Sequence, residues 1–454
     1  MRPFRAPLCV AAVLAAGLAA PRRAAAQQPP DEQQAAAIRQ AFLHAWDGYR
    51  RYAWGHDELL PISRGYRDWY PASFLMTPVD GYDTMLLMGL TDEAAGAKVL
   101  ILDSLSFDRD FPVQVFEITI RLLGGLLSAY QLDGDVRFLA LARDLGTRLL
   151  PAFGSPTGMP YRYVNLRTGA VSGPVSNPAE VGTLMLEFGT LSRLTGDPRY
   201  YDAAKRAVVA LFARRSALGL VGSAIDVRTG AWTEKDSHVS GGIDSYYEYL
   251  LKAWLLFRDA DFERMWDSSI AAVQGHLADR RPTGLWYGHA DMDTGARTLT
   301  HFGALDAFFA AALARSGDTL RAGQLMQSIY RMWTTFGIEP EELDYVTMGV
   351  VAPGYELRPE ALESAYYLYR ITGEERYRAM GRAMVDSLFR ATRTEVGFAA
   401  LRSVVTKEPR DRMESYFLAE TLKYAWLLFS PRTALDFDAV VFNTEAHPLR
   451  RTWR

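Results

Sequence analysis

The sequence predicts an all-α-dominated fold in which helical hairpins close into a toroid of seven pairs, with short β-hairpins on one rim. Three observations carry that prediction. First, one kind of break between amphipathic runs recurs at a spacing of roughly 60 residues. It is seen at Tyr130-Gln-Leu-Asp-Gly134-Asp, Arg193-Leu-Thr-Gly196-Asp, Leu256-Phe-Arg-Asp259-Ala-Asp, Ala314-Arg-Ser-Gly317-Asp and Arg370-Ile-Thr-Gly373-Glu. Glycine suits the left-handed close of one helix, and an acid suits the start of the next. Second, a turn motif follows several of these breaks: Thr157-Gly158…Asn165-Leu-Arg-Thr168-Gly169, Leu218-Gly219…Asp226-Val-Arg-Thr229-Gly230 and Thr283-Gly284…Asp291-Met-Asp-Thr294-Gly295. Each reads as a short β-hairpin. Third, the last helical run, from Ser415 to Phe429, is apolar on nearly every side. That calls for burial in a closed ring rather than a polar capping repeat.

In chain order, residues 1–26 read as a signal peptide. Arg2 and Arg5 precede an apolar run from Leu8 to Ala20, and Ala24-Ala25-Ala26 offers small residues for cleavage. A membrane anchor needs about 20 apolar residues, and Arg22 and Arg23 end this run early. No later segment is expected to span a bilayer. The chain is therefore expected to be exported without a membrane anchor: periplasmic or extracellular in a bacterium, otherwise in the secretory pathway. Residues 27–34 read as a linker and 35–454 as one domain. Helical pairs are expected at about 80–104, 111–152, 179–215, 242–278, 300–336 and 359–393. Helices at 35–54 and 412–429 would pair with each other and close the ring.

Composition sets limits. Of 454 residues, 49% are apolar and 23% charged, an ordinary globular balance. Lys plus Arg (50) against Asp plus Glu (53) gives −3, so no strongly basic face is implied and nucleic acid is a poor partner. The single cysteine, Cys9, falls inside the signal, which leaves the mature chain without a disulfide or a thiolate metal site. Aromatic residues reach 12%. Such rings serve as sugar-stacking platforms, and equally as core.

The first helix of each pair is the more apolar and should form the inner ring. Acids sit near the starts of these helices: Asp83, Glu117, Glu180, Asp244, Glu360 and Glu414. In a toroid of alternating helices they would converge at one mouth. Any one acid is explained by the helix dipole, worth about 0.3–1 kcal/mol. A converging set, partly desolvated, would instead raise its members' pKa values and provide both an acid and a base. The same set suits a divalent cation. The last segment, Val441-Phe-Asn-Thr444-Glu445-Ala-His447-Pro, reads either as a frayed tail or as a plug on the barrel axis.

At these residues the chain resembles glycoside hydrolase family 47, the class I α-1,2-mannosidases, from about residue 35 to 449. The matching stretches are Ala45-Trp-Asp-Gly-Tyr49, Gly55-His-Asp-Glu-Leu59, Val115-Phe-Glu-Ile-Thr-Ile-Arg121, Asp244-Ser-Tyr-Tyr-Glu-Tyr-Leu-Leu-Lys252, Leu357-Arg-Pro-Glu-Ala-Leu-Glu-Ser364, Glu414-Ser-Tyr-Phe-Leu-Ala-Glu-Thr-Leu-Lys-Tyr424 and Phe442-Asn-Thr-Glu-Ala-His447. The resemblance implies an (α/α)7 barrel and Ca²⁺-dependent, inverting removal of terminal α-1,2-linked mannose from oligosaccharides or glycoprotein N-glycans by a monomer. It implies Glu117 as general acid, Glu360 as base and Asp244 as the third catalytic carboxylate. Thr444 would bind Ca²⁺ through its hydroxyl and carbonyl. Substrate or metal-bound water would be held by Arg121, Arg358, Glu363, Glu420 and Glu445. Phe417 is expected to stack on the sugar, or else to pack in the core. His301, expected at the start of an inner helix, would touch sugar or face solvent, and His447 would support the metal site from behind.

Two departures matter. Trimming enzymes selective for one branch often carry Arg two positions before the catalytic Asp, where this chain has Gly242. Ile243-Asp244-Ser and the compact loops look closer to the ER degradation-enhancing α-mannosidase-like branch. The alternative from another class is a mannose-glycan binding protein that keeps the barrel and has lost turnover.

Overall fold

In the computed structural model, which describes residues 31–453, seven helical pairs form a closed ring. The inner helices are Met76–Leu87, the run Val115–Asp133, Pro178–Thr195 with a break at Thr183, Asp244–Phe257, Phe308–Arg315, Glu360–Thr372 and the run Phe417–Phe429. Each packs against the next, and the last returns to the first. They are inner because they are apolar all round: Met76–Leu87 and Asp244–Phe257 bury nearly every residue. Their outer partners are amphipathic, with one buried face, as in Val136–Leu149 and Pro198–Phe212.

The expected seventh pair is present. Helix Glu32–Tyr52 packs on Leu422–Phe429, the Asp31 N–H donates to the Phe429 carbonyl (2.9 Å), and Arg382 forms an ion pair with Asp31. The helix begins at Glu32, inside the segment read as a linker. Residues 1–26, read as a signal peptide, lie outside the described residues.

Val115–Asp133 corrects one expectation. Its 19 residues are apolar enough, by length and composition, to cross a membrane, yet 72% of the apolar window is buried inside the fold. It is a barrel stave whose apolar surface is already covered by neighbouring helices.

The breaks between helices follow the sequence logic. Gly134, Gly196 and Gly373 close helices in the left-handed region, and Asp135, Asp197, Asp259 and Asp318 accept backbone N–H bonds at the following N-termini. Each of the three expected hairpins exists, and each gains a third strand that leads into the inner helix of the same pair. Thus Pro112–Gln114 joins Tyr163–Asn165, Val175–Ser176 joins Ala224–Asp226, and Asp236–Ser237 joins His289–Asp291. A fourth such sheet, His301–Gly303 with Glu342–Asp344 and Gly349–Ala352, was not expected. All the lead strands run, directly or within a few residues, into the N-termini of inner helices, so this rim frames one mouth of the barrel.

The tail is a plug. Strands Val440–Phe442 and Pro448–Arg450 pair, and their connection enters the barrel axis. Asn443 Nδ2 donates to the Ile120 carbonyl (2.8 Å) and to Glu187 (2.8 Å), while Lys423 donates to the Ala446 carbonyl (2.7 Å). Gly124 and Gly125 make room for the plug: a Cβ on Gly124 would meet Asn443 Nδ2 at 2.5 Å, and one on Gly125 would come within 3.2 Å of His447 Cε1.

Candidate active site

A cavity of about 420 Å³ opens at the mouth framed by the strand rim, a size typical of small-molecule sites. Glu117, Glu180, Asp244 and Glu360 enter it from four inner-helix N-termini, as the sequence suggested. Two other expected acids do not. Asp83 is mid-helix and points to the buried base of the barrel, bound by Lys423 and His447. Glu414 forms an ion pair with Arg412 and does not line the cavity.

Glu117 begins the inner run, and Arg121, one turn on, donates from Nε to its carboxylate (3.0 Å). The same guanidinium pairs with Glu445, lies 3.6 Å from Asp80 and sits 5.0 Å over the Trp69 ring. Burial alone would weaken that cation, but Glu445, Glu117 and Asp80 outweigh it and keep it charged. Arg121 falls within a π-helical turn, Thr119–Leu123, and Glu420 within another, Phe417–Thr421. Such turns insert an extra residue and re-aim side chains, and they recur at functional sites.

Asp244 starts its helix with a bond from the Ser245 N–H (2.8 Å). Burial pushes its pKa up to about 7 against that bond, with Glu248 and Asp306 adding to the rise. Glu360 is pushed up to about 8 by burial, opposed by Arg358, and its Oε2 has no hydrogen-bond partner. Arg358 is held by a fork to Glu341, with Nη2 2.9 Å from Oε2. Tyr416 lies between the two guanidinium groups, 5.5 Å from Arg121 and 5.7 Å from Arg358.

At the floor, Thr444 and Glu445 of the tail meet Glu420 and Glu360. Burial and then mutual repulsion raise Glu420 well above its ordinary value, and Glu445 rises to about 8, with Arg121 opposing. Glu363 does not line the cavity. It stands behind Glu360 on the same helix, accepts a bond from Tyr424 (3.3 Å) and lies 3.8 Å from Lys252.

Two expected sugar contacts are corrected. Phe417 is fully buried with its ring 4.9 Å from that of Phe398, so it is core, and its neighbour Tyr416 lines the cavity instead. His301 starts a strand, not a helix; its Nδ1 is 3.0 Å from Glu342 and it does not line the cavity. His447 is buried behind the floor, as expected, bonded to Asp83 (2.7 Å). Sequence reasoning missed Asp80 and Glu187, both fully buried at the base. Acids in otherwise apolar inner helices were the available signal.

The sequence profile of glycosyl hydrolase family 47 matches residues 41–451. The chain is 38% identical to mannosyl-oligosaccharide 1,2-alpha-mannosidase IB of Mus musculus, over 91% of this chain and 69% of that one. It is 37% identical to the mouse ER degradation-enhancing alpha-mannosidase-like protein 2, over 91% of this chain and 77% of the relative. Among solved structures, the alpha-1,2-mannosidase from Trichoderma reesei superposes with a TM-score of 0.86 at 29% identity, over 93% of this chain and 100% of that one. A matching profile across nearly the whole ring, with the same barrel beneath it, places this chain in glycosyl hydrolase family 47, and it is a glycoside hydrolase.

Proposed function

We propose that this chain is an exported, Ca²⁺-dependent α-1,2-mannosidase that removes terminal mannose from oligosaccharides or glycoprotein N-glycans with inversion at the anomeric carbon. One observation carries the reading: Glu117, Asp244 and Glu360 reach a single cavity from three separate inner helices. Inverting hydrolysis needs room for a water between base and sugar, with carboxyls about 6.5–9.5 Å apart, whereas a nucleophile works at about 5–5.5 Å. Glu360, with its unpartnered oxygen, is suited to hold and deprotonate that water. Glu117 protonates the departing oxygen, through a second water, and Arg121 fixes its carboxylate for that role. Asp244 is the third carboxylate at the reacting centre.

The floor fits a hard cation. Its donors are all oxygens, from Thr444 and from Glu360, Glu420 and Glu445 around it, and these acids resist ionising together without added positive charge. Thr444 would bind Ca²⁺ directly, with the glutamates, including Glu363 behind them, holding its waters. When bound, the ion supplies the charge that lets these carboxylates ionise and a seat for sugar hydroxyls. Chelation should abolish turnover, and Ca²⁺ should restore it better than Mg²⁺, which demands a tighter octahedron. Full turnover in excess chelator after verified metal removal is the result that sinks the Ca²⁺ assignment.

Gly242 bears on specificity. It lines the cavity with φ +90°, a conformation that disfavours any side chain, so this position itself supplies no long cation. Several branch ends should therefore be accepted. The deciding experiment is hydrolysis of α-1,2-mannobiose followed by NMR. β-Mannose as the first product supports the proposal; α-mannose first, or binding without release of mannose, overturns it.

A further inference from the structure

Away from the sugar cavity, the strand rim gathers a second set of ligating side chains. Strands Asp236–Ser237 and His289–Asp291 pair antiparallel, and His238 directly follows the first. Ligand atoms of Asp236, His238 and His289 all lie within 4.8 Å of one another. His289 Nδ1 is 2.6 Å from Asp236 Oδ2, and the two imidazoles face each other at 4.4 Å, tilted by 30°. Thr298 Oγ1 donates to the other oxygen of Asp236 (2.6 Å), and the Ser240 N–H donates to Nδ1 of His238 (3.2 Å). Both histidines are buried, while the Asp236 side chain keeps 33% of its surface and opens the group to solvent.

A hydrogen-bonded pair accounts for Asp236 and His289 but not for the second imidazole packed onto the first. The bond that Nδ1 of His238 accepts from the Ser240 N–H makes that nitrogen one with a lone pair, which is what a metal requires. Two imidazoles and a carboxylate form a donor set for borderline transition metals, in contrast to the oxygen-only floor of the sugar cavity.

We propose that Asp236, His238 and His289 bind a divalent cation of the Zn²⁺ class, at a site separate from the Ca²⁺ seat. Three protein ligands leave one tetrahedral position, open toward solvent and filled by water. The cation replaces the proton shared between His289 and Asp236, and the long Ser240 bond yields if the His238 ring turns its Nδ1 lone pair to the ion. From His238 the chain runs through Gly241 and Gly242 at the cavity lip to Asp244. A cation here cross-links two rim strands and braces the segment that carries Asp244.

The test is Co²⁺ titration of the untagged, Ca²⁺-loaded chain, read by visible absorption. One equivalent should bind with the bands of a four- or five-coordinate nitrogen–oxygen site, be displaced by Zn²⁺ and be indifferent to excess Ca²⁺. His238→Gln and His289→Gln should each lose that equivalent while keeping the far-UV circular dichroism of the parent. Co²⁺ uptake that is absent, or unchanged in the double variant, overturns the proposal and leaves a hydrogen-bond network only. Should the variants not fold, diethylpyrocarbonate labelling of the parent decides. Zn²⁺ should protect His238 and His289, and equal labelling with and without Zn²⁺ is the contrary result.

Discussion

Glu360→Gln should lower kcat by about 10²-fold or more, the usual size of a general-base effect, while KM changes little. The substitution keeps the side chain's size and removes only its ability to take a proton from water. Arg358 stays in place, because it is anchored to Glu341 rather than to Glu360. Glu117→Gln should cost a similar factor in kcat, with more disturbance of binding. Its carboxylate accepts from Arg121, which is shared with Glu445 at the floor, so a weaker acceptor there loosens the Thr444 segment too. Asp244→Asn should also lose about 10²-fold or more, with the Ser245 N–H still able to donate to the side-chain amide oxygen at 244. Single-turnover rates and substrate binding, measured separately, check the split. A Glu360→Gln enzyme that keeps a tenth or more of the parental kcat would remove Glu360 from the role of base.

The pairing of helices was legible because its signals are local. Gly134 or Gly373 closes a helix, and Asp135 or Asp197 caps the next, whatever the rest of the chain does. The fourth rim sheet escaped for an equally local reason. Where the other hairpins have Gly169, Gly230 or Gly295 in the left-handed region, this one has Met348 at φ 57°, so its turn motif lacks the expected glycine. The strand at His301 is not legible because lead strands of two or three residues are too short to show alternation. Four of the six acids expected at the mouth reach it. Glu117, Glu180, Asp244 and Glu360 follow from helix starts, but sequence gives no depth along a barrel, which is what misplaces Asp83. Its partners, Lys423 and His447, lie hundreds of residues away and meet it only after the ring has closed around the tail. The π-helical turns at Arg121 and Glu420 left no trace in the apolar periodicity, though both residues line the cavity.

That buried base should make Asp83→Asn the most destabilising of the conservative changes, at about 3–5 kcal/mol, the cost of breaking a buried ion pair from one side. Asp83 receives Lys423 Nζ at 2.7 Å and His447 Nδ1 at 2.7 Å, and all three side chains are essentially without solvent contact. Burial works against ionisation of Asp83, but Lys423 and then His447 outweigh it and hold its pKa down at about 2. Burial likewise disfavours the His447 cation, yet Asp83 and Asp80 lift its pKa to about 9. The two shifts set the sign of the pH dependence. The Asp83 contribution is present above its ordinary value of 3.8 and is lost as pH falls through about 2. The His447 contribution is full below 6.5 and is lost as pH rises through about 9. Urea unfolding at pH 5 should therefore show the largest gap between parent and Asp83→Asn, and His447→Gln should flatten the alkaline limb between 6.5 and 9. The same cluster holds the tail that carries Thr444 and Glu445, so Asp83→Asn should also weaken Ca²⁺ retention at temperatures where the barrel is still folded. A variant within about 1 kcal/mol of the parent at pH 5, well short of the cost of a broken buried pair, with unchanged Ca²⁺ affinity, would mean that the ring closes and the plug seats without this charge cluster.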